Sequence, residues 1–348
     1  QNITDMMNAL NRLEQMNGNV ESFSSQAQRD QIRKLSGTVI EWITAESATT
    51  PYYKKICQST QKLVGGLIKH KLFSDAIPIM DVFIKIHNGT LVKDDQTKAI
   101  SQEMLRHLAS EDNINILFHA FQTNENNQKN EAGQILAGFG NIIVNKLLDV
   151  IRDSSDSKER VRMIHLIEEM GQKAIAVISE RVHMDAPWYF LRNLAYILGR
   201  IGNETSADIL RPFLLYKDKR VRMEALKSII QTGGNQKGSI LLSVLPQADQ
   251  DFRINIIETL GKIKYAEAVP ELLDMLKSKT SMDKAKQIAF HEKICDALGA
   301  IGSTKAIPVL SEITESKSFL GISSYPVETK YAAKRALTSI QRKQEDMK

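Results

Sequence analysis

Glycine returns on a fixed step through the second half of this 348-residue chain. Gly140, Gly171, Gly202 and Gly233 follow one another at a step of 31, which next reaches Lys264, and a longer last unit closes on Gly302. Leu210, Leu241 and Leu272 keep the same step, and Leu310 then comes late by the same amount as Gly302. Two independent markers therefore gain the same extra length, which places an insertion in Lys277–Gln287. Self-similarity at such a period is the mark of a stacked array, because one supersecondary unit cannot bury its apolar face alone.

Apolar residues recur at three- and four-residue steps along the chain and strand-type alternation is almost absent, so the units are helical. Each has room for two helices of about 12 to 14 residues with tight turns, the outer one written "EAVPELLDML" and the inner one "FRINIIETLGKI". The recurring glycine is expected in the left-handed position that ends an inner helix. Asp218 and Asp249 are expected to cap the starts. Ahead of the repeats, helices are expected over 3–16, 25–46, 52–71, 75–87, 95–109 and 112–122. The polar run Gln122–Asn130 reads as the boundary and a hinge, which divides the chain into a helical region 1–125 and a solenoid 126–345.

The repeat sequences carry a resemblance. "LRNLAYILGRIG" (191–202), "VRMEALKSIIQTGG" (221–234), "FRINIIETLGKI" and "ICDALGAIG", with "EAVPELLDML" and "KAIPVLSEI" between them, resemble the short bacterial HEAT repeats first described in phycobilin lyases. That family implies an all-α fold, an α-solenoid whose helix pairs wind as a right-handed superhelix, and it implies no single activity. It also implies an arginine ladder at the heads of the inner helices, which pairs with acidic residues. The matching positions are Arg162, Arg192, Arg222 and Arg253, with His291 where the next arginine would stand. In the first part, "LIKHKLFSDAIPIMDVFIKI" (Leu67–Ile86) resembles a tetratricopeptide-like helix pair, with Ala76 at the small position.

Catalytic patterns are hard to find. The seven histidines never pair at the three- or four-residue spacing that sets two imidazoles on one helix face, so no zinc motif is read. "LVGGLIK" (Leu63–Lys69) lacks the spacing of a phosphate-cradling loop and lies in a helical pattern. Cys57 and Cys295 stand too far apart to suggest a framework, and they favour a reducing, cytoplasmic setting. No run is long enough for a membrane span. The chain opens on Gln1 rather than Met, which reads as a piece of a longer protein. No enzyme, metal or cofactor is expected.

The stretch "APWYFLRNLAYILGRIG" (186–202) is the richest in contact-forming residues. On a helical wheel Phe190, Leu191, Leu194, Ala195, Leu198 and Ile201 form one broad arc, with Trp188 at its edge. Tyr189, Arg192, Asn193, Tyr196 and Arg200 face the other way, and tyrosine with arginine is what protein interfaces concentrate at their anchors. One period on, the same face carries Arg220, Glu224, Lys227 and Gln231; another brings Asp251, Asn255, Glu258 and Lys262; one period earlier it has Lys158, Arg162, His165 and Glu169. The alternative is that the tyrosines only bond to neighbouring helices.

Charge narrows the partner class. The net charge of +5 lies wholly beyond residue 130, and the last helix, with Lys330, Lys334, Arg335, Arg342 and Lys343, holds part of it. The inner face itself is mixed in sign, whereas a phosphate track would be uniformly basic. The expectation is therefore a scaffold that binds another protein through Tyr189, Arg192, Asn193, Tyr196, Arg200, Arg220 and Lys227. The insertion at Lys277–Gln287 is a second candidate surface. A groove like that of HEAT-like DNA glycosylases and a bilin lyase or chaperone are the alternatives from other classes.

Overall fold

The computed structural model describes residues 3, 4, 7, 8, 10, 11, 26–122, 126–278, 283–316 and 325–346. Helices and short 3₁₀ turns make up its regular structure, with no strand among the described residues. The chain forms two compact units, Gln1–Asp149 and Val150–Lys348.

In the first unit, α1 (Gln26–Ala45), α2 (Tyr53–Lys69), α3 (Phe73–His87), α4 (Asp95–Leu108), α5 (Glu111–Gln122) and α6 (Asn126–Gly138) follow one another with short connections. Each buries one apolar face, with Ile56, Leu63, Phe73, Phe83, Met104 and Leu117 fully enclosed. Asp94 caps α4 by accepting from the Thr97 amide at 2.9 Å, and Lys93 donates to the Thr44 and Glu46 carbonyls at the end of α1. Leu67–Ile86 is a helix, turn and helix with Ala76 buried. Of the polar run Gln122–Asn130, residues 126–130 lie inside α6 and residues 123–125 lie outside the described residues.

The second unit repeats a longer inner helix and a shorter outer one. After α7 (Asn141–Asp153), the inner row comprises α8 (Ser157–Met170), α10 (Trp188–Ile201), α12 (Lys219–Thr232), α14 (Gln250–Lys262), α16 (Lys284–Ile301) and α18 (Val327–Glu345). The outer helices are α9 (Ile175–Glu180), α11 (Glu204–Leu210), α13 (Lys237–Val244), α15 (Val269–Lys277) and α17 (Ile307–Glu315). They are shorter than the sequence suggested, because 3₁₀ turns such as Arg211–Leu215 and Ala266–Ala268 take up the remainder of each unit. Proline sits in the first turn of α15 and α17, where the missing amide would have had no helical partner.

Asp156, Asp218 and Asp249 cap α8, α12 and α14 as acceptors from backbone amides, and Pro187 holds the corresponding place before α10. These four keep the glycine step, but the next cap, Asp283, comes slightly late. The following α16 has 18 residues against 14 in α10 and α12. The insertion is therefore divided between a longer connection and one extra helical turn, with Lys284–Gln287 inside the helix. Residues 279–282 lie outside the described residues.

The recurring glycine has two separate causes. Gly302 has φ 81°, the left-handed ending expected, as Gly140 and Gly171 also have positive φ. Gly202 has φ −71°, and what excludes a side chain there is space: a Cβ would lie 2.7 Å from the Ser206 Oγ. Where the period reaches Lys264, a lysine holds φ 54°.

A second glycine series governs how successive inner helices meet. A Cβ on Gly199 would lie 3.1 Å from the Ser228 Cα of α12, one on Gly261 2.8 Å from the Ala297 Cα of α16, and one on Gly299 3.0 Å from the Ala336 Cα of α18. Ser228 Oγ donates to the Ala195 carbonyl at 2.8 Å across the first of these contacts. One repeat after Gly199 the matching position is Ile230, and there α12 and α14 meet far less closely.

Gly261→Ala is expected to cost about 1–3 kcal/mol by forcing two backbones apart. Gly37→Ala, in an exposed stretch of α1 with nothing within 4 Å, is expected to stabilise by about 1 kcal/mol. Urea unfolding of both variants measures the contrast, and equal effects would refute the packing account.

Candidate interaction surface on the inner helices

The predicted arc of α10 is buried as expected, with Phe190, Leu191, Leu194, Ala195, Leu198 and Ile201 in the core. Ile197 joins them because α12 closes over that flank. Proline at the helix start and the buried arc together fix where the polar face points.

On that face most of the predicted residues are already engaged. Tyr189 donates its hydroxyl to the Arg152 carbonyl at 2.9 Å. Arg192 pairs with Glu224 of α12 at 3.7 Å, and Arg200 with Glu168 of α8 at 3.3 Å, where His165 also meets Glu168. Arg220 lies over the Trp188 ring with its guanidinium carbon 3.3 Å from the centroid. Its Nε and Nη2 reach Asp218 at 3.0 and 2.7 Å. These two bonds hold the Asp218 carboxyl down at about 2. Asn193, Tyr196 and Lys227 make no side-chain bond among the described residues.

Two anchors escaped the sequence reading. Met223 and Ile230 of α12 are 37% and 39% exposed, one and three turns along the face that begins with Arg220. Trp188, read as an arc edge, is half-buried and forms the platform for Arg220. The signal was in the period: Arg220 stands one repeat after Tyr189, one helix along, within reach of Trp188.

The arginine ladder keeps a different register from the one expected. The residues that brace the turns are Arg160, Arg222 and Arg253, and Leu191 and His291 occupy the same position in the other repeats. Arg160 donates to the Ser154 carbonyl at 2.7 Å, and Arg222 to the Tyr216 and Lys217 carbonyls at 2.9 and 3.2 Å. Arg253 donates to the Leu245, Pro246 and Ala248 carbonyls. Arg222 also pairs with Asp249 at 2.9 Å and lies over the Phe252 ring. Arg162 and Arg192 fall just beyond the bracing position, on the exposed side, which removes the apparent slip in spacing. The ladder chiefly holds backbone carbonyls, with the carboxylate as an addition at Arg222.

His291 is 4% exposed, and neither ring nitrogen has a hydrogen-bond partner. Burial pushes its pKa down. Both cysteine thiols are buried and pushed up to about 12.

The inner row is a stack of helix pairs, which defines an α-solenoid. Residues 144–230 and 238–320, just under half of the chain, match the family model of HEAT repeats, so this part of the chain is built of HEAT repeats. No curated protein matches the sequence. Among solved structures, human deoxyhypusine hydroxylase in complex with glycerol is 17% identical, with 76% of this chain and 97% of that chain covered and a TM-score of 0.33. The CpcE and CpcF complex of phycocyanin lyase from a Nostoc species is 17% identical over 67% of this chain and 92% of that one, with a TM-score of 0.23. A microtubule polymerase structure with an array of tumor overexpressed gene domains is 10% identical over 97% of both chains, with a TM-score of 0.36. None of these likenesses bears on function.

Arg222, with its side chain 13% exposed, separates structural from surface arginines. Arg222→Ala is expected to cost about 2 kcal/mol because the part-buried Tyr216 carbonyl, the Lys217 carbonyl and the Asp249 carboxylate all lose their donor together with the packing on Phe252. Arg200→Ala, in an exposed pair, is expected to cost under about 1 kcal/mol. Equal losses in chemical denaturation would overturn this division. His291 carries a folded pKa below its unfolded value of about 6.5. Below that pH the unfolded chain takes up the proton first, so stability falls as pH drops from about 6.5 towards the folded pKa. His291→Leu, which places there the residue found at 191, should flatten this slope between pH 7 and 5; an unchanged slope would exclude His291 as its source.

Proposed function

We propose that the chain is a non-catalytic scaffold and that it binds a partner protein on the exposed face of α10 and α12. The observation that supports this most is the grouping of Trp188, Tyr196, Met223 and Ile230 with Arg220 and Lys227 on two helices locked together at Gly199 and Ser228. Half-exposed aromatic and aliphatic side chains beside a stacked guanidinium supply the area and geometry of an interface anchor. A fixed platform holds them in place, so binding orders few further groups. Further along the row the same face carries Asp251, Asn255, Glu258 and Lys262, so the apolar character is local.

One feature favours binding over catalysis: the thiols are held protonated by burial, which removes them as nucleophiles. The mixed signs on the inner face favour a protein over a nucleic acid. Two reduced, buried cysteines are in keeping with a cytoplasmic setting. No single helix among the described residues is long and apolar enough to cross a membrane.

The test is affinity capture from native lysate with nuclease present, comparing wild type with Trp188→Ala/Met223→Ala and with Tyr196→Ala/Lys227→Ala. Circular dichroism first establishes that both variants stay folded. A protein bound by wild type and lost, with a weakening of about tenfold or more, in both variants is the expected result. Undiminished binding would move the site elsewhere, and capture only without nuclease would replace protein by nucleic acid.

A further inference from the structure

The sequence KLVGGLIK, Lys62–Lys69, places two adjacent glycines in the middle of α2. Glycine there lowers helix stability relative to alanine, so each needs a reason. Gly66 is buried in the helix packing. Gly65 is different: a Cβ there would meet nothing nearer than the Asn113 Nδ2 at 3.9 Å, an ordinary contact, so packing does not demand glycine.

What Gly65 does is keep a floor bare. It lines a cleft of about 360 Å³ in the first unit, between the end of α2, the end of α4 and the start of α5. Lys62 and Lys69, two turns apart on one face of α2, stand on either side of it, and His107 of α4 closes a third wall. Asn113 is 5% exposed and lies behind the glycine. Its Nδ2 donates one proton to the Leu108 carbonyl at 2.9 Å, and an amide nitrogen carries two. The cleft thus gathers two ammonium groups, an imidazole and a side-chain amide around a surface cleared of a methyl group. Asp112 on the rim is the one acidic side chain lining it.

We infer that this cleft binds a phosphate group, carried by a small molecule or by a lipid headgroup. Lys62 and Lys69 supply charge, Asn113 and His107 supply directed donors, and Gly65 lets the anion approach the helix surface. Charge-assisted bonds of this kind are the strong ones, and a phosphate can accept from all four groups at once. Asp112 favours a ligand that presents a donor beside its phosphate. The site lies in a different unit from the α10 and α12 surface and stands without it.

Gly65→Ala gives the decisive variant, because the two roles of that glycine predict opposite results. The full chain is titrated with inorganic phosphate and with pyrophosphate at constant ionic strength set by chloride, and binding is read from ³¹P line broadening and from the unfolding midpoint. A parallel arm measures co-sedimentation with phosphatidylcholine vesicles with and without phosphatidic acid. Expected is saturable binding of a soluble probe or of the phosphatidic acid vesicles, and which arm responds identifies the source. Gly65→Ala should raise the midpoint of the unliganded protein by about 2–4 °C and abolish binding. Lys62→Ala/Lys69→Ala should weaken binding about tenfold or more. No binding of any probe by wild type, or undiminished binding by either Gly65→Ala or the double lysine variant, would overturn the inference.

Discussion

The architecture of the second unit depends on contacts between backbones. Where Gly199, Gly261 and Gly299 face Ser228, Ala297 and Ala336, successive inner helices come as near as their main chains allow. Such an approach excludes water from a long strip and lets Ser228 bond across to a main-chain carbonyl. The outer helices cannot match that closeness, since they are short and bounded by 3₁₀ turns. One row drawn tight and the other spread is the condition under which stacked pairs curve, so glycine on one flank of a helix governs the three steps at which the inner row closes most tightly.

Against that frame the arginines divide by what they touch. Arg160, Arg222 and Arg253 hold the turns that lead into their helices, and they do so through backbone carbonyls of those turns. Arg192 and Arg200 join neighbouring helices through carboxylates near the surface. Arg220 joins an aromatic plane and a carboxylate. These are three separate uses of one side chain, distinguished by burial and by partner rather than by distance along the sequence.

Much of the fold was legible in the chain. The five helices expected over 25–122 end within about two residues of the periodicity estimate, because Asp94, Pro51 and Gly89 mark the breaks as local chemistry would, while most of the helix expected over 3–16 lies outside the described residues. The repeat length is legible in the glycines and, independently, in the leucines that keep the same step. The ladder was misread because Arg162 and Arg192 look alike in sequence to the true brace, and only the strict repeat step, taken backwards from Arg253 and Arg222, passes through Leu191 and selects Arg160. Tyr189 illustrates the harder limit: its exposure follows from the helical wheel, but its bond to Arg152 depends on a helix more than one repeat away, which periodicity does not contain. The exposure of Met223 and Ile230 likewise arises from how far α14 stands off, a distance set between two repeats and not within either.

The isoleucine at 230 has a mechanical meaning. Along the inner row, every step that carries glycine is close and cross-bonded, with Lys293 and Glu258 joining α14 to α16 and Arg335 and Asp296 joining α16 to α18. Between α12 and α14 a side chain replaces the bare flank, and the bond that joins them, Arg222 to Asp249, sits at the helix starts. Under a bending load the strain gathers at the most compliant joints. The stack is then a spring whose coils are graded in stiffness by one residue type at one register, stiff where glycine stands and soft where Glu168 or Ile230 replaces it, and the two soft joints flank the pair of helices that carries Trp188 and its partner Arg220.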